Sequence, residues 1–162
     1  YTANLSLARA RLLEEPFDEG FPYAAWEDIE ISYRMLQRGL KIIYRPEAVA
    51  RHHHEITFAS FRRRQEKSGL AAAIFYEKHP ELGDFLGVPQ ASTFRERPAL
   101  AQKLRAIWAA LAERWELPGA RLALDSVLRE DYLRGLRRGL ERAEALPPTP
   151  RAPRRIPLEE TR

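Results

Sequence analysis

The chain has 162 residues, 44% of them hydrophobic, which suits one domain, or a piece of one, with a real core. It contains no cysteine, so disulfides and thiolate metal sites are excluded, and this fits a reducing compartment. No apolar run approaches the roughly 20 residues that cross a bilayer, and the opening residues lack the apolar core of a signal peptide. We therefore expect a cytoplasmic protein, either free or associated with a membrane surface.

The formal net charge is +4 and the isoelectric point is near 9.6, with arginine supplying nearly all of the positive charge. A basic surface suits a polyanion such as nucleic acid, a nucleoside diphosphate or anionic lipid, but it is also typical of an ordinary solvated surface. The charge is diffuse, and no helix-turn-helix or RRM pattern accompanies it. We therefore do not expect nucleic acid as a partner.

Three regions of different character follow one another. Residues 1–90 mix short strands, turns and helices, residues 91–146 are helical and amphipathic, and residues 147–162 contain five prolines and no periodic apolar pattern. The last region predicts a flexible tail, because it cannot bury enough apolar surface to offset the entropy of ordering.

The first region contains a loop rich in aromatic and acidic residues, FDEGFPYAAWED (17–28). A helix is predicted to begin near Glu27 or Asp28, because apolar residues then recur at helical spacing, and Gly39 is placed to end it. The apolar residues of this helix are Ile29, Tyr33, Leu36 and Leu40.

Two short strands are predicted next, Lys41–Arg45 and Ala48–His52, so this region should have a mixed α/β fold. Another helix should follow Thr57, which is a good N-cap, and should continue until His79-Pro80 stops it.

The second region predicts a helical hairpin. Pro98 is well placed in the first turn of one helix, and Pro118-Gly119 separates it from the next. The two apolar stripes are Leu100, Leu104, Ile107, Trp108, Leu111 and Trp115 in one helix, and Leu124, Leu128, Tyr132, Leu136 and Leu140 in the other. Such a hairpin is expected to pack on another part of the protein, on a partner or on a membrane surface.

Glu27 and Asp28 are the first candidates for chemistry, since two acids stand where the aromatic loop meets the predicted helix start. Either acid could simply stabilise the helix N-terminus, an effect of roughly 0.3–1 kcal/mol. A carboxylate at this position could also act as a general base that accepts the proton of a sugar hydroxyl.

The run His52-His53-His54 is the second candidate. Successive side chains of an extended segment alternate, so His52 and His54 share a face and could bind a divalent cation. A surface cluster without a ligand explains such a run equally well.

The third candidate is the run Arg62-Arg63-Arg64. Arginine matches phosphate oxygens with two parallel hydrogen bonds, so it suits a diphosphate. A helix spreads consecutive residues around its axis, however, so only one or two of these could face such a ligand, and at least one should be solvated.

Several short motifs follow one another over about residues 1–82. They are Asn4-x-Ser6-x-x-Arg9, Phe17-Asp18-Glu19-x-Phe21, Glu27-Asp28 with Arg34, Gly39, Tyr44-x-Pro46-x-Ala48, His52, Arg63-Arg64-Gln65 and Gly69. This series resembles the second half of family 2 glycosyltransferases with the GT-A fold. The chain departs from that pattern in having Glu15-Pro16 before the first acidic motif, Trp26 before the acidic pair, and no DxD metal motif. In such enzymes the DxD motif lies upstream, with the nucleotide-binding units.

The resemblance implies an α/β fold class, with residues 1–90 as the C-terminal, acceptor-binding portion of a GT-A domain and residues 91–146 as a helical extension. It implies an inverting transfer of a sugar from a nucleoside-diphosphate donor to a hydroxyl group of a saccharide or another acceptor. Asp28 is then the general base, and Glu27 supports it. A fragment without the nucleotide-binding half is expected to be inactive.

The resemblance also implies a cation, Mg²⁺ or Mn²⁺, that stabilises the departing diphosphate, with His52 as its first protein ligand and His54 as the second choice. The residues implied in substrate binding are Asn4, Arg9, Asp18, Tyr23, Trp26, Arg34 and Arg63. The two aromatic residues are expected to pack either on the acceptor sugar or within the loop, and Arg9 and Arg34 to face the acidic loop or the diphosphate. The alternative is a non-catalytic binding or interaction module with basic helices.

Overall fold

A computed structural model describes residues 4–51, 53 and 56–145, and these residues form helices and loops with no β-strand. The helices are α1 (Arg9–Glu14), α2 (Glu27–Gln37), α3 (Phe58–Lys78), α4 (Gly83–Leu86), α5 (Val88–Thr93), α6 (Ala99–Arg114) and α7 (Ala120–Ala145), with a 3₁₀ turn at Pro80–Leu82. No helix in this part of the chain is both long enough and apolar enough to cross a membrane.

The prediction of an α/β fold, as a portion of a GT-A domain with short strands, is therefore wrong for the described residues. The segments predicted as strands are irregular over residues 41–51, and His52 lies outside the described residues. Their apolar side chains are uncovered: Ile43 is 70% exposed and Val49 is 81% exposed. A strand needs a neighbouring strand to satisfy its backbone hydrogen bonds, and the described residues offer none.

The predicted helix boundaries are confirmed where local signals set them. The helix α2 begins at Glu27, and Gly39, with φ of 81°, follows its end. Before α3, the hydroxyl of Thr57 accepts from the backbone N–H of Ser60, whose own hydroxyl accepts from the N–H of Thr57, both at 3.1 Å. This reciprocal capping satisfies two N–H groups that a helix start leaves unpaired.

The two longest helices, α3 and α7, pack together through glycines. A Cβ atom added at Gly69 would lie 2.1 Å from the carbonyl oxygen of Tyr132, and one at Gly135 would lie 2.0 Å from that of Glu66. The backbones are therefore too close for any side chain at these two positions. Gly139, one turn after Gly135 in α7, also faces α3, because a Cβ atom there would lie 2.5 Å from Cβ of Ala73.

The main core lies where α3, α7 and the short helices α4 and α5 meet. Its buried members are Ala72, Ala73, Phe75, Leu86, Ala91 and Leu136. The helix α6 packs on α7 in a different way, because it buries only small residues: Ala106, Ala109 and Ala112. The apolar stripe predicted on α6 exists, but it faces away from α7 and is exposed.

Candidate functional site at the start of helix α2

Trp26, the residue before the two acids, sets the start of α2. Its backbone is left-handed, with φ of 71°, which is uncommon for a large side chain. Its indole N–H donates to the carbonyl of Ser68 at 3.0 Å. Its ring packs against the rings of Phe75, Phe85 and Tyr132. The structure thus places Trp26 as an anchor that fixes the direction in which α2 leaves the loop.

Glu27 and Asp28 form the first turn of α2, and both are half-buried. Oδ1 of Asp28 accepts from the backbone N–H of Ile29 at 2.8 Å, and its carbonyl accepts from the hydroxyl of Ser32 at 2.7 Å. Oε2 of Glu27 is buried and makes no hydrogen bond within the described part of the chain. The partial positive charge at a helix N-terminus stabilises negative charge, so this turn suits either a structural or a catalytic acid.

A cluster of ion pairs centres on Glu30, on the side of α2 away from Asp28, and the sequence analysis missed most of it. Glu30, only 2% exposed, accepts from Nε of Arg34 at 2.8 Å and lies 3.1 Å from Nε2 of His79. Arg34 also donates to Glu15 and, at 2.8 Å, to the carbonyl of Pro16. Burial alone would lower the pKa of Arg34, but its bonds to the two glutamates outweigh burial and raise it. Arg34 thus faces the segment that precedes the acidic loop.

An open cleft of about 330 Å³ borders this cluster. Its lining residues are Glu15, Tyr33, Arg34, Gln37, Arg38, His79 and Glu81. The hydroxyl of Tyr33 donates to Glu81 at 2.8 Å, and this bond raises the pKa of Tyr33. Glu27 and Asp28 do not line the cleft, so the cleft and the acidic pair are separate features of α2.

Asp18, Asn4 and Tyr23 each contact another part of the chain. Asp18 pairs with Lys78 at 2.6 Å, and its Oδ1 accepts from the backbone N–H of Gly20 at 2.8 Å. The side-chain amide of Asn4 donates to the carbonyl of Ala48 at 2.6 Å. Tyr23 is half-buried, and the ammonium group of Lys67 lies 5.6 Å from its ring centroid. The contacts of Asp18 and Tyr23 hold the loop before α2 against α3, whereas the contact of Asn4 joins the start of the described chain to the irregular segment 41–51.

The arginine run on α3 divides into one internal and two solvent-facing residues. Arg62 donates to both carboxylate oxygens of Asp131 on α7, at 2.7 and 3.0 Å. Arg63 and Arg64 are exposed, and so is Arg9 on α1. The expectation that at least one arginine of the run is solvated is therefore confirmed.

The predicted ligands of a divalent cation, His52 and His54, lie outside the described residues, and His53 between them is exposed. Within residues 4–51, 53 and 56–145, no group of three or more histidine, aspartate or glutamate side chains could hold a metal ion. Because neither predicted ligand is among the described residues, the Mg²⁺ or Mn²⁺ site stays a prediction.

Comparison of the chain with protein-family models, with curated proteins and with solved structures found no match.

Proposed function

We propose that this chain supplies the general base and the acceptor side of an inverting sugar transfer from a nucleoside-diphosphate donor. The proposal rests on the order of the motifs over residues 1–82 and on one structural observation. That observation is the position of Asp28, which is half-buried on the first turn of α2 beside Glu27. The described residues contain no sheet that could bind the nucleotide.

The two faces of α2 differ in a way that suits this role. Glu30 is buried, and two basic side chains surround it, so it serves to position the helix. Asp28 lies on the other side of the helix and is partly open to solvent, where an acceptor hydroxyl can approach it. A general base must come within hydrogen-bond reach of the proton that it takes.

The reaction has a simple balance of bonds and protons. The acceptor hydroxyl gives its proton to a carboxylate oxygen of Asp28 while its oxygen forms a bond to the anomeric carbon of the donor sugar. The bond between that carbon and the diphosphate breaks on the opposite face, so the configuration inverts and the nucleoside diphosphate leaves with the electron pair. General-base assistance of this kind contributes about 10²–10⁴ in rate.

The other proposed site residues have different roles in the transfer. Arg9 and Arg63 are exposed, so their guanidinium groups are open to solvent and are the proposed partners of the diphosphate. Arg34 and Asp18 are bound within the protein and act by positioning α2 and the loop before it. Asn4 and Tyr23 remain candidates for contact with the acceptor.

The experiment uses the natural protein that carries this chain. Release of nucleoside diphosphate from a panel of nucleotide sugars is measured with and without saccharide acceptors, and the anomeric configuration of any product is determined by NMR. Asp28→Asn should reduce transfer at least about 100-fold, whereas the control Asp125→Asn, at an exposed position on α7, should leave it unchanged. Retention of configuration, or equal transfer by the two variants, would refute the proposal.

A second candidate function is a non-catalytic interaction module, and the exposed apolar face of α6 favours it. Under this alternative no nucleotide sugar is consumed with any acceptor, and Glu27 and Asp28 only stabilise the helix start. The same release assay distinguishes the two functions.

A further inference from the structure

The helix α6 presents its large apolar residues to solvent and its small ones to the protein. We call the exposed row the outer stripe: Leu100, Leu104, Ile107, Trp108, Leu111 and Trp115, which are 48–70% exposed. The face that packs on α7 consists of alanines, at most 8% exposed. A contiguous row of large apolar side chains on the surface marks a contact surface, because leaving it in water forgoes the free energy of burial.

The apolar surface continues around the turn that joins α6 to α7. Leu117 is 45% exposed and Leu122 is 75% exposed. The backbone turns at Gly119, whose φ of 83° suits glycine. The outer stripe runs along the length of α6, and exposed apolar residues follow it in the chain at the turn.

Basic side chains border this surface. At 100° per residue, Lys103 and Arg114 fall on the same border of the outer stripe, next to Ile107. Both are exposed, and neither makes an ion pair within the described residues. The exposed Arg121 adds a third cation at the turn, whereas Glu113 falls on the opposite side of the helix.

We propose that the outer stripe docks on an anionic lipid surface, with α6 lying parallel to the membrane plane. Its tryptophans and leucines enter the boundary between headgroups and acyl chains, and Lys103, Arg114 and Arg121 contact lipid phosphates and carboxylates. An apolar face with tryptophan and a basic border is the pattern of a helix that binds at the membrane interface. This inference is independent of the sugar-transfer proposal.

A second copy of the chain fits this surface less well. An antiparallel two-fold pairing of two outer stripes would bring the Lys103–Arg114 border of one copy against the same border of the other. Four cations would then meet without a described anion between them, which disfavours the pair. An anionic lipid surface supplies the opposite charge.

The test measures binding of the chain to phosphatidylcholine vesicles with and without roughly one-third phosphatidylserine. The wild-type chain should bind the anionic vesicles more tightly, and lipids brominated in their acyl chains should quench its tryptophan fluorescence. Trp108→Ser/Trp115→Ser should weaken binding at least about tenfold. Lys103→Glu/Arg114→Glu should weaken it by a similar factor, because each cation near the surface contributes about fivefold.

Two controls separate a specific surface from general stickiness. Leu13→Ser removes an apolar side chain that is 63% exposed on α1, and Arg45→Glu/Arg64→Glu reverses two exposed charges elsewhere. Both controls should bind as the wild type does, and circular dichroism should show that every variant keeps its helices. The proposal is overturned if the wild type does not bind, or if the stripe variants bind as well as the controls. It is also overturned if sedimentation shows a dimer that the stripe variants dissociate, with no binding to vesicles.

Discussion

Arg62 of α3 and Asp131 of α7 are joined by two hydrogen bonds, from Nε to Oδ2 at 2.7 Å and from Nη2 to Oδ1 at 3.0 Å. The side chain of Asp131 is 3% exposed, and it also accepts from Arg134 at 2.8 Å. The hydrogen bond to Asp131 is the main cause that raises the pKa of Arg62. One buried carboxylate thus holds two arginines and ties the helices that form the main core.

Removing this carboxylate should destabilise the protein strongly. Asp131→Ala leaves the half-buried Arg62 without its hydrogen-bonded anion, and among the described residues the buried Arg134 then keeps only its ion pair with Glu96. We expect the free energy of unfolding to fall by about 2–3 kcal/mol. The measurement is urea unfolding followed by circular dichroism. Asp125→Ala, an exposed position on the same helix, should change the free energy by less than about 0.5 kcal/mol. Similar losses of unfolding free energy for the two variants would show that the buried ion pair does not stabilise the protein more than an exposed aspartate does.

Gly135→Ala should destabilise the protein, although alanine is the better helix former by about 1 kcal/mol. The added Cβ would lie 2.0 Å from the carbonyl oxygen of Glu66, and backbone cannot move away as a side chain can. Forcing α3 and α7 apart should lower the free energy of unfolding by about 2–3 kcal/mol, as measured by urea unfolding. A more stable Gly135→Ala variant would mean that the helices do not approach this closely.

Gly139 provides the matched case for this prediction, because its added Cβ would meet a side chain. The closest atom is Cβ of Ala73, at 2.5 Å. Gly139→Ala should therefore be destabilising in the wild type and much less so in an Ala73→Gly background. The same background should not rescue Gly135→Ala. The pattern of rescue is read from the four free energies of unfolding in each double-mutant cycle.

The pairing of Asp18 with Lys78 predicts a pH-dependent contribution to stability. Burial by itself would raise the pKa of Asp18, but the bonds from Lys78 and from the backbone N–H of Gly20 outweigh it and lower the pKa. When folding lowers the pKa of a carboxyl group, the ionised carboxylate stabilises the folded state. This stabilisation is fully present above about pH 4, the ordinary pKa of an aspartate. The contribution is lost as the pH falls through the lowered value.

Asp18→Asn should accordingly cost about 0.5–1 kcal/mol of unfolding free energy at pH 7, since the pair is partly exposed. The difference from the wild type should shrink as the pH falls below about 4. Urea unfolding across this range measures it, with Asp125→Asn as the control at an exposed position. A difference that stays constant with pH would assign the effect to the shape of the side chain.

Local signals in the sequence predicted the helix boundaries, because a cap or a breaker acts within a few residues. The capping of α3 by Thr57 and the break at Pro118-Gly119 are examples. The strand prediction failed for the opposite reason. An apolar run such as Ile42-Ile43 becomes a strand only beside another strand, and a local pattern does not show whether that neighbour exists.

Local sequence patterns also did not predict which face of α6 is buried, or the ion-pair cluster on α2. Apolar periodicity predicts that the face with the larger residues is buried, but α7 packs against the alanine face of α6. Glu30 and His79 are separated by 49 residues in the chain, and only the packing of α2 against the end of α3 brings them together. In the sequence, His79 indicated no more than a helix end.

The last prediction identifies which acid on the first turn of α2 is the base. In the natural protein, Asp28→Asn should lower kcat about 10²–10⁴-fold and leave the affinity for the nucleotide sugar close to unchanged, because asparagine keeps the shape but does not take up the proton. Glu27→Gln should have a smaller effect on kcat, since we assign Glu27 a supporting role. The measurements are kcat, donor affinity and melting temperature for both variants. If both acids only stabilise the helix start, each substitution should cost about 0.3–1 kcal/mol of stability with little change in kcat, and the catalytic assignment fails. If Glu27→Gln is inactive and Asp28→Asn is active, the base is Glu27, whose buried Oε2 then accepts the proton.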